Sequence, residues 1–440
     1  MHRVTLARMK ASFRRDASGG VVIQDVALRE LVATHRTPLY VYDVDAMVDE
    51  ALDLKAGFGS RSHLVAYAVK ANSAGPIIRR FAAAGLGADV VSGAELQLSV
   101  DAGIAPNKIL YSGVAKLAHE IDLAIVVEGK GILALQAESV EELPRIAERA
   151  KTLGKRARVT LRLNPDIEAD THAHIATGHD EAKFGIPVED LGDALALVLD
   201  SEWLELSGIG NHIGSQLTSL ESYCEAARRM LVLFRETNQT ALARGQAELS
   251  LIDFGGGFGI DYGSGCPVTP RDFARELVGL CSQNLPDRVL AVVEPGRSLV
   301  AAHGAIVSSV VMQKSTRHRE PVRRWLMIDA GMNDLMRPAL YGAFHRIVPL
   351  VESGGEALPV RVVGPVCESS DDFGEHCLPL NAEHVLIRDA GAYGFTMASE
   401  YNGRPLPTEI FLEQSGVSHV RKANPVSAWI EERLMNRQPT

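Results

Sequence analysis

Between residues 64 and 297 the chain repeats one pattern eight times: a short β-branched apolar run, a turn residue and a helical stretch rich in Ala, Leu and charge. Apolar runs of this length are typical of buried strands, and alternation with helices favours parallel pairing. Eight such units predict a (β/α)8 TIM barrel, which needs roughly 250 residues. The predicted strands are LVAYAVK, GADVV, KILYSG, GILALQAES, RVTLRLNP, LELSGIGNHIGS, LSLIDFGGGFGI and RVLAVVEPGR.

After residue 300 the pattern changes to short strands separated by Gly and Pro turns, such as GAIVSSVVMQK and LPVRVVGPV. The opening residues, with GGVVIQDVAL and TPLYVYD, are also strand-like. A chain of 440 residues exceeds the size at which one core stops growing, so two domains are expected. We predict a barrel over 44–298 and a mostly antiparallel β-sandwich or β-barrel domain built from 1–43 and 299–440.

The composition is that of a globular enzyme, with 46% hydrophobic and 23% charged residues. A net charge of -10 argues against nucleic-acid and membrane-surface partners. The five cysteines form no CxxC pair, so neither a disulfide framework nor a metal site is predicted, and a cytoplasmic location is the simplest expectation. No apolar run approaches the ~20 residues that span a bilayer. The basic N-terminal extension has no assigned role.

Active sites of TIM barrels lie at the carboxyl ends of the strands, so the residues that end these runs are the candidates. Lys70 ends the first run, VAYAVKANS. Apolar neighbours would lower its pKa and free a neutral amine to act as a Schiff-base nucleophile. On this stretch alone, a lysine that snorkels out of a strand end is the simpler interpretation.

The sixth and seventh runs end in NHIGSQ and DFGGGFGI. His212 could cover a planar ring while Ser215 holds an anion. Gly255, Gly256 and Gly257 allow backbone N–H groups to approach a phosphate, which barrels commonly bind after strands seven and eight. Neither a GxGxxG motif nor a P-loop is present, so a nucleotide is not implied.

The eighth run ends in EPGR, with Glu294 and Arg297. The carboxylate could pair with a protonated ring nitrogen, and the guanidinium could hold a carboxylate or phosphate. A lysine, a ring-covering histidine, a glycine phosphate loop and an acid for a pyridine nitrogen together indicate a pyridoxal 5'-phosphate (PLP) site.

The second domain adds DAGMNDLMRPALYGAFH, GPVCESSD and DAGAYG. Arg337 and Tyr341, four residues apart, could lie on one helical face and bind a carboxylate. Cys367, followed by Glu368, has a thiol whose ordinary pKa of about 8.5 suits proton donation near neutrality. Burial as an inert structural cysteine is the alternative.

The ordered motifs of this chain resemble the fold-type III PLP-dependent decarboxylases, which have an alanine racemase-like barrel, and within them the diaminopimelate decarboxylases. The similarity runs from about Thr37 to Pro407. It includes AYAVKAN, GADVVSGAEL, LRLNPDIEADTHAHIATGHDEAKFGI, HIGSQ, DFGGGFGI, EPGR, DAGMNDLMRPALYGAFH, GPVCESSD and YNGRPLP.

The resemblance implies that Lys70 holds PLP covalently, that His212 stacks on the ring and that Glu294 meets the pyridine nitrogen. It implies phosphate or cofactor contacts from Ser215, Gly255, Gly256, Gly257, Gly296, Arg297 and Tyr393. It also implies that Arg297, Arg337 and Tyr341 hold the substrate's distal carboxylate, that Glu368 holds its distal ammonium and that Tyr393 contacts the substrate, with Cys367 as proton donor.

The activity implied is PLP-dependent decarboxylation of meso-2,6-diaminopimelate at its D-centre, giving L-lysine and CO2. The family's active unit is a head-to-tail homodimer with shared sites, into which Cys367 and Glu368 of the partner subunit enter. Alternatives on the same fold are a decarboxylase of D-lysine, D-ornithine or a carboxylated polyamine precursor, a racemase, and a non-catalytic PLP-binding regulator. Arg337 with Tyr341 favours a substrate with a second carboxylate.

Two regions depart from the family pattern. The loop GPVCESSDDFGEHCLPL has Ser370 where the family often has Gly, and continues with an unusual Asp372, Cys377 and Pro379. The extension to about residue 20 matches no family motif. The first departure concerns the choice of substrate and leaves the PLP chemistry unchanged.

Overall fold

The structure is a computed structural model and describes residues 12–165, 183–318, 320–352, 354–414 and 416–435. Part of the predicted fifth-strand motif, residues 166–182, lies outside these ranges, as does most of the N-terminal extension. The chain divides into two compact units, one of residues 48–299 and one of residues 1–47 with 300–440. Across the described ranges, no helix is both long and apolar enough to cross a bilayer.

The chain begins with a small antiparallel sheet and then supplies one central strand to the larger sheet of its unit. The first elements are β1 (Phe13–Arg15), β2 (Val21–Ile23), β3 (Val26–Ala27), α1 (Leu28–Thr34), β4 (Leu39–Asp43) and α2 (Val44–Gly57). All five residues of β4 are buried, as expected for a strand with neighbours on both edges.

Eight parallel strands form a closed barrel, which confirms the predicted (β/α)8 architecture and all eight predicted strands. The ring closes where the last strand pairs with the first and the fourth pairs with the fifth. Its strands are β5 (His63–Ala68), β6 (Gly87–Val90), β7 (Ile109–Tyr111), β8 (Ala134–Ala137), β9 (Ala157–Asn164), β11 (Leu204–Gly210), β12 (Leu251–Gly256) and β13 (Leu290–Glu294), with a short β10 (Ile186–Pro187) pairing with β9 outside the ring.

A helix follows each barrel strand, and several begin or end at residues that favour a boundary. Ser92 accepts a hydrogen bond from the Glu95 N–H at the start of the fourth helix, and Gly154 ends the sixth in the left-handed conformation. The helices are α3 (Gly75–Ala83), α4 (Gly93–Asp101), α5 (Ala118–Val126), α6 (Glu142–Leu153), α7 (Leu191–Leu199), α8 (Glu221–Ala243), α9 (Pro270–Asn284) and α10 (Arg297–Val300).

The barrel strands are apolar over most of their length. Leu64, Leu110, Leu251 and Val292 form a buried cluster contributed by four of the strands. Polar side chains follow towards the carboxyl ends of the strands, which meet at one end of the barrel. The apolar cluster thus fixes the strand positions from which the site residues project.

The second unit is a mostly antiparallel β domain assembled from both ends of the chain, as predicted. Its strand order is β18-β17-β15-β14-β4-β20-β21, with β19 pairing with β14 and β16. These elements are β14 (Gly304–Ser315), β15 (Arg324–Ile328), α11 (Arg337–Tyr341), β16 (Ile347–Pro349), β17 (Ala357–Val363), β18 (Asp372–Pro379), β19 (His384–Ile387), β20 (Thr408–Glu413), β21 (Gly416–Arg421) and α12 (Val426–Arg433).

Candidate active site

Lys70 lies in a short 3-10 turn, Val69–Ala71, directly after β5. Its Nζ atom forms an ion pair with Oδ2 of Asp89, in β6, over 2.7 Å. The Lys70 side chain is 38% exposed, whereas that of Asp89 is fully buried. The sequence predicted apolar neighbours for Lys70. The structure adds a buried carboxylate, which at this distance stabilises the charged form of the amine.

Two more acids are buried beside this pair: Asp253, in β12, and Glu294, the last residue of β13. They share a side-chain hydrogen bond, and Ser112 Oγ donates to Glu294 Oε1 over 3.3 Å. Burial, and then the charges of Asp253 and Asp89, raise the pKa of Glu294 well above its ordinary value. Burial raises the pKa of Asp253 to about 6. The pair therefore retains a proton at a pH where isolated carboxyls are ionised.

Asp253 is held by groups from neighbouring strands. The Gln136 side chain, in β8, donates from Nε2 to Asp253 Oδ2 over 3.0 Å. The Gly255 N–H donates to the other oxygen, Oδ1, over 2.9 Å. Because both oxygens accept hydrogen bonds, the carboxyl group has a fixed orientation towards Glu294.

His212 follows β11 at the predicted position. Burial, and then the positive charges of Arg162 and Lys70, lower its pKa well below the ordinary value of a histidine. The Gly256 N–H lies 3.2 Å from Nδ1 and donates to it. The ring is therefore neutral at physiological pH, with its proton on Nε2. Ser215, three residues further on, is half-buried.

The glycine run after β12 packs tightly against neighbouring backbone. Gly255 (φ +66°) and Gly257 (φ +88°) have left-handed conformations, and a Cβ there would collide with the carbonyl oxygens of Asn211 and Gly214. A Cβ on Gly256 would meet the carbonyl of Glu294. Glycine is thus required here by close backbone approach. Contact of this run with a phosphate stays a prediction.

The EPGR turn is seated against the segment that carries Lys70. A Cβ on Gly296 would lie 3.0 Å from the Cβ atoms of both Ala68 and Ala71. The Ala68 N–H also donates to the Pro295 carbonyl over 3.0 Å. These contacts fix Glu294 at the end of β13 relative to Lys70 at the end of β5.

Arg297, the first residue of α10, contacts Tyr262 in the loop after β12. Its Nη1 atom donates to the Tyr262 hydroxyl over 2.9 Å, and the guanidinium carbon lies 5.8 Å from the ring centroid. Glu294 and Arg297, three residues apart, therefore have separate partners. Arg297 as a whole is half-buried.

Another buried ion pair links Arg162, in β9, with Glu138, the residue that follows β8. Arg162 Nη1 contacts both carboxylate oxygens of Glu138, at 2.9 and 3.0 Å. Glu138 also accepts from the Gly113 N–H over 2.6 Å. The Arg162 guanidinium lies 5.1 Å from the Phe184 ring centroid. Arg162 is thereby fixed at the strand ends, where its charge lowers the pKa of His212.

In the β unit, Arg337 and Tyr341 begin and end the short helix α11. Arg337 is buried, and its Nη1 donates to Nε2 of the buried His345 over 2.9 Å. His345 Nδ1 donates in turn to the Arg388 carbonyl over 3.0 Å, which leaves Nε2 as the acceptor. Tyr341 is 46% exposed. The predicted helical spacing is present, but the two side chains differ strongly in burial.

The proposed proton donor and its neighbour are at the surface of the β unit. Cys367 is exposed, which contradicts the alternative of a buried structural cysteine. Glu368 accepts a hydrogen bond from the Tyr401 hydroxyl over 2.6 Å. Tyr393 is half-buried in a left-handed conformation with φ +54°. Across the described ranges, no cluster of three or more His, Cys, Asp or Glu residues could hold a metal ion.

Comparison with known proteins identifies the family. Residues 45–301 match the pyridoxal binding domain of the pyridoxal-dependent decarboxylases. A diaminopimelate decarboxylase of Zymomonas mobilis is 39% identical, over 93% of this chain and 95% of its own length. One from Vibrio cholerae is 36% identical, over 96% and 99%. The chain belongs to the diaminopimelate decarboxylase family.

Solved structures with the family name agree. The Helicobacter pylori diaminopimelate decarboxylase complexed with L-lysine is 36% identical, has a TM-score of 0.83, and matches over 93% of this chain and all of its own. A diaminopimelate decarboxylase from M. jannaschii is 33% identical, with a TM-score of 0.86 over 96% of this chain and 97% of its own. The two-unit architecture is thus that of the diaminopimelate decarboxylase family.

Several buried charged or polar residues of this decarboxylase-family barrel were not among the site residues predicted from the sequence. Each ends or nearly ends a predicted strand: in GADVV, KILYSG, ALQAES, LRLN and LIDFGG an acid, hydroxyl, amide or arginine interrupts an otherwise apolar run. A buried polar group at a strand end needs a partner, and that signal would have identified them. They are Asp89, Ser112, Gln136, Glu138, Arg162 and Asp253.

Proposed function

We propose that this protein decarboxylates meso-2,6-diaminopimelate at its D-centre, giving L-lysine and CO2, with PLP as cofactor. The observation that carries the proposal is one barrel that holds the Lys70 amine, the neutral His212 ring and the buried Glu294 carboxyl, in a chain of this family. PLP binding is assigned to the domain of residues 44–298.

The residues of the barrel fit PLP in charge and in chemistry. Asp89 pairs with the Lys70 amine and lies near two more buried acids, Asp253 and Glu294, so the cluster can accept a further cation such as a protonated pyridine. Asp89 Oδ1 is buried and has no hydrogen-bond partner in the described part of the chain. Lys70 would hold the aldehyde carbon, His212 would cover the ring and Glu294 would pair with the ring nitrogen.

The remaining cofactor contacts follow from the family resemblance. The phosphate would be held by Ser215, Gly255, Gly256, Gly257, Gly296, Arg297 and Tyr393. Arg297 and the glycine turn come from the loops after the last two strands, where barrels commonly bind phosphate.

When bound, PLP supplies an electron sink for the electron pair left by departing CO2. The chain's own residues would hold and transfer protons and would position the substrate. Asp89 Oδ2, 2.7 Å from Lys70 Nζ, holds the ammonium and can take its proton when the amine acts as a nucleophile. Glu294 retains a proton at its buried carboxyl, because burial and Asp253 raise its pKa, and can share it with a ring nitrogen.

Protonation of the D-centre after CO2 loss is assigned to the Cys367 thiol. The thiol is exposed on its own chain, as a proton donor to the site of another subunit has to be. Arg297, Arg337 and Tyr341 would hold the substrate's distal carboxylate, Glu368 would hold its distal ammonium, and Tyr393 would also contact the substrate. Binding energy from these distal groups orients the reacting carbon, so substrates without them should lose kcat as well as affinity.

The active unit is proposed to be a homodimer in which Cys367 and Glu368 complete the site of the other subunit, as the resemblance implies. A cytoplasmic location is proposed because all five cysteines are free, as in proteins of a reducing compartment.

The deciding experiment compares CO2 release from meso-diaminopimelate, D-lysine, L-lysine and D-ornithine by the PLP-loaded protein. We expect meso-diaminopimelate to be preferred by at least about 100-fold, since the other three amino acids keep a side-chain ammonium but lack the distal carboxylate, which leaves the groups proposed to bind it without a partner. Lys70→Ala serves as the inactive control. Equal or better turnover of any of the other three amino acids would refute the substrate assignment.

A further inference from the structure

The loop that carries Cys367 and Glu368 is fixed at its base by one buried acid. Asp371, 4% exposed, accepts from the Val366 N–H over 2.6 Å and from the Met332 N–H over 2.7 Å. The Glu368 N–H closes the turn by donating to the Val366 carbonyl over 2.8 Å. These bonds hold the backbone of the loop, but none of them reaches the Cys367 N–H or the Glu368 carboxylate.

Two consecutive residues of another segment supply those two contacts. Asn402 Oδ1 accepts from the Cys367 N–H over 2.9 Å. The Tyr401 hydroxyl donates to Glu368 Oε1 over 2.6 Å. Cys367 and Glu368 therefore each have a hydrogen-bond partner in the 3-10 turn Tyr401–Gly403.

The conformation of this turn explains how Asn402 reaches the loop. Asn402 has φ +57°, a left-handed conformation that asparagine tolerates better than most residues. Gly403 follows at φ +70° and packs against the Trp429 ring of α12, where a Cβ would lie 3.2 Å from the nearest ring atom. Glu400 forms an ion pair with Arg433 of the same helix over 3.6 Å. The turn is thus anchored independently of the Cys367 loop.

We propose that Asn402 and Tyr401 are positioning residues with separate roles: Asn402 sets the place of the Cys367 thiol, and Tyr401 orients Glu368 towards the substrate's distal ammonium. The hydroxyl occupies Oε1 and leaves Oε2 free to accept from an ammonium. This inference rests on the proposed function, because it assumes that Cys367 donates the proton and Glu368 binds the substrate.

The two roles predict opposite kinetic signatures in the PLP-loaded enzyme with meso-diaminopimelate. Asn402→Gly keeps the left-handed backbone and removes the acceptor, so kcat should fall about 10-fold with KM within about twofold, because the proton donor is misplaced. Tyr401→Phe keeps the ring and removes the donor but leaves the Glu368 carboxylate and the distal carboxylate contacts in place, so KM should rise about fivefold while kcat falls by less than about twofold.

Two further variants make this test specific. Asn402→Asp retains an oxygen acceptor on a residue that tolerates this backbone and should restore most of the lost kcat. Gln414→Gly changes another left-handed residue of the same unit, at φ +51°, and should leave both constants unchanged. The inference is overturned if Asn402→Gly or Tyr401→Phe equals wild type, or if both constants change together in both variants.

A second readout does not depend on turnover. Cys367 and Cys377 are both exposed, so alkylation by iodoacetamide, resolved by peptide mass spectrometry, gives their relative rates in one sample. Asn402→Gly should raise the Cys367 rate relative to Cys377 by about fivefold, the factor expected for loss of one hydrogen bond. An unchanged ratio refutes the role of Asn402 even where kcat falls.

The alkylation result also separates this inference from the proposed function. If wild type fails to decarboxylate meso-diaminopimelate while the alkylation ratio shifts as expected, the substrate assignment is wrong and the positioning contact stands. If wild type is active and the ratio and kinetic constants are unmoved, the positioning roles are wrong and the proposed function stands.

Discussion

The barrel cluster and the Cys367 loop place reactive groups by different physical means. In the barrel, Asp89, Asp253 and Glu294 are buried, and their pairings with each other and with Lys70 decide where protons reside. In the loop, Cys367 and Glu368 are exposed, and single hydrogen bonds decide where they point. Burial thus controls protonation in one region, while local geometry controls position in the other.

The difference has an energetic consequence. Charges in a buried cluster interact strongly, so removing one member changes the state of the others. Exposed contacts are screened by solvent, so each contributes little to stability even where its geometry matters for function. Substitutions in the barrel should therefore affect activity and, where they leave a buried charge without a partner, folding as well, whereas substitutions at the loop should affect activity alone.

The largest effect is expected for Glu294→Gln. The amide cannot carry the proton or charge proposed to pair with a ring nitrogen, so decarboxylation should fall about 10²- to 10³-fold. The apoprotein should not be destabilised, because the amide can donate to Asp253 in place of the proton that Glu294 retains. The checks are steady-state kinetics and thermal melting, with Glu352→Gln, whose side chain is 63% exposed, as the control. Activity within threefold of wild type would contradict the assignment.

The next largest effect separates the two members of the Lys70–Asp89 pair. Lys70→Met leaves a fully buried carboxylate without its cation and should lower the free energy of unfolding by about 2 kcal/mol, a figure reduced because Lys70 is 38% exposed. Asp89→Asn leaves an ammonium that can reach solvent and should cost less. Urea denaturation of the apoproteins measures both. If Asp89→Asn is the more damaging change, burial does not decide the energetics of this pair.

Most of the fold could be predicted from sequence, because each strand is an apolar run of its own and needs no distant residue to be recognised. Lys70, His212 and Glu294 were found by the same rule, since they end such runs. Asp253 also interrupts such a run and could have been noticed, but its pairing could not be predicted, because its partners, Gln136 and Glu294, come from other strands and meet it only when the ring closes.

The different burial of Arg337 and Tyr341 in the β unit could not be predicted from the sequence either. The spacing of Arg337 and Tyr341 predicted one helical turn, which α11 provides. The two residues differ because Arg337 donates a hydrogen bond to His345. His345 lies in a loop, and the spacing of Arg337 and Tyr341 does not predict where that loop runs. Local periodicity therefore predicts elements, whereas the partners of polar groups depend on tertiary packing.

A third prediction uses pH to test the buried pair. Burial raises the pKa of Asp253 to about 6 from an ordinary value of 3.8, so between these values the folded state binds more protons than the unfolded state. Its contribution to stability is present below about pH 4 and is lost as pH rises through 6, a change on the order of 2 to 3 kcal/mol. Asp253→Asn should flatten this slope in apoprotein unfolding. An identical slope in the variant would show that other groups cause it.

The smallest effect is expected where the sequence departs from its family. Asp372, in β18, accepts a hydrogen bond from Arg361 Nε, in β17, over 2.7 Å. The Arg361 side chain is 51% exposed. Arg361→Ala should change the free energy of unfolding by less than about 0.5 kcal/mol, because solvent screens the pair. Since the Asp372 carboxylate is engaged by Arg361, Asp372→Asn should also leave the preference for meso-diaminopimelate over D-lysine unchanged. Competition assays with both amino acids test this prediction. A shift in preference would contradict it and would show that substrate specificity depends on Asp372, in the strand after Glu368, as well as on Glu368.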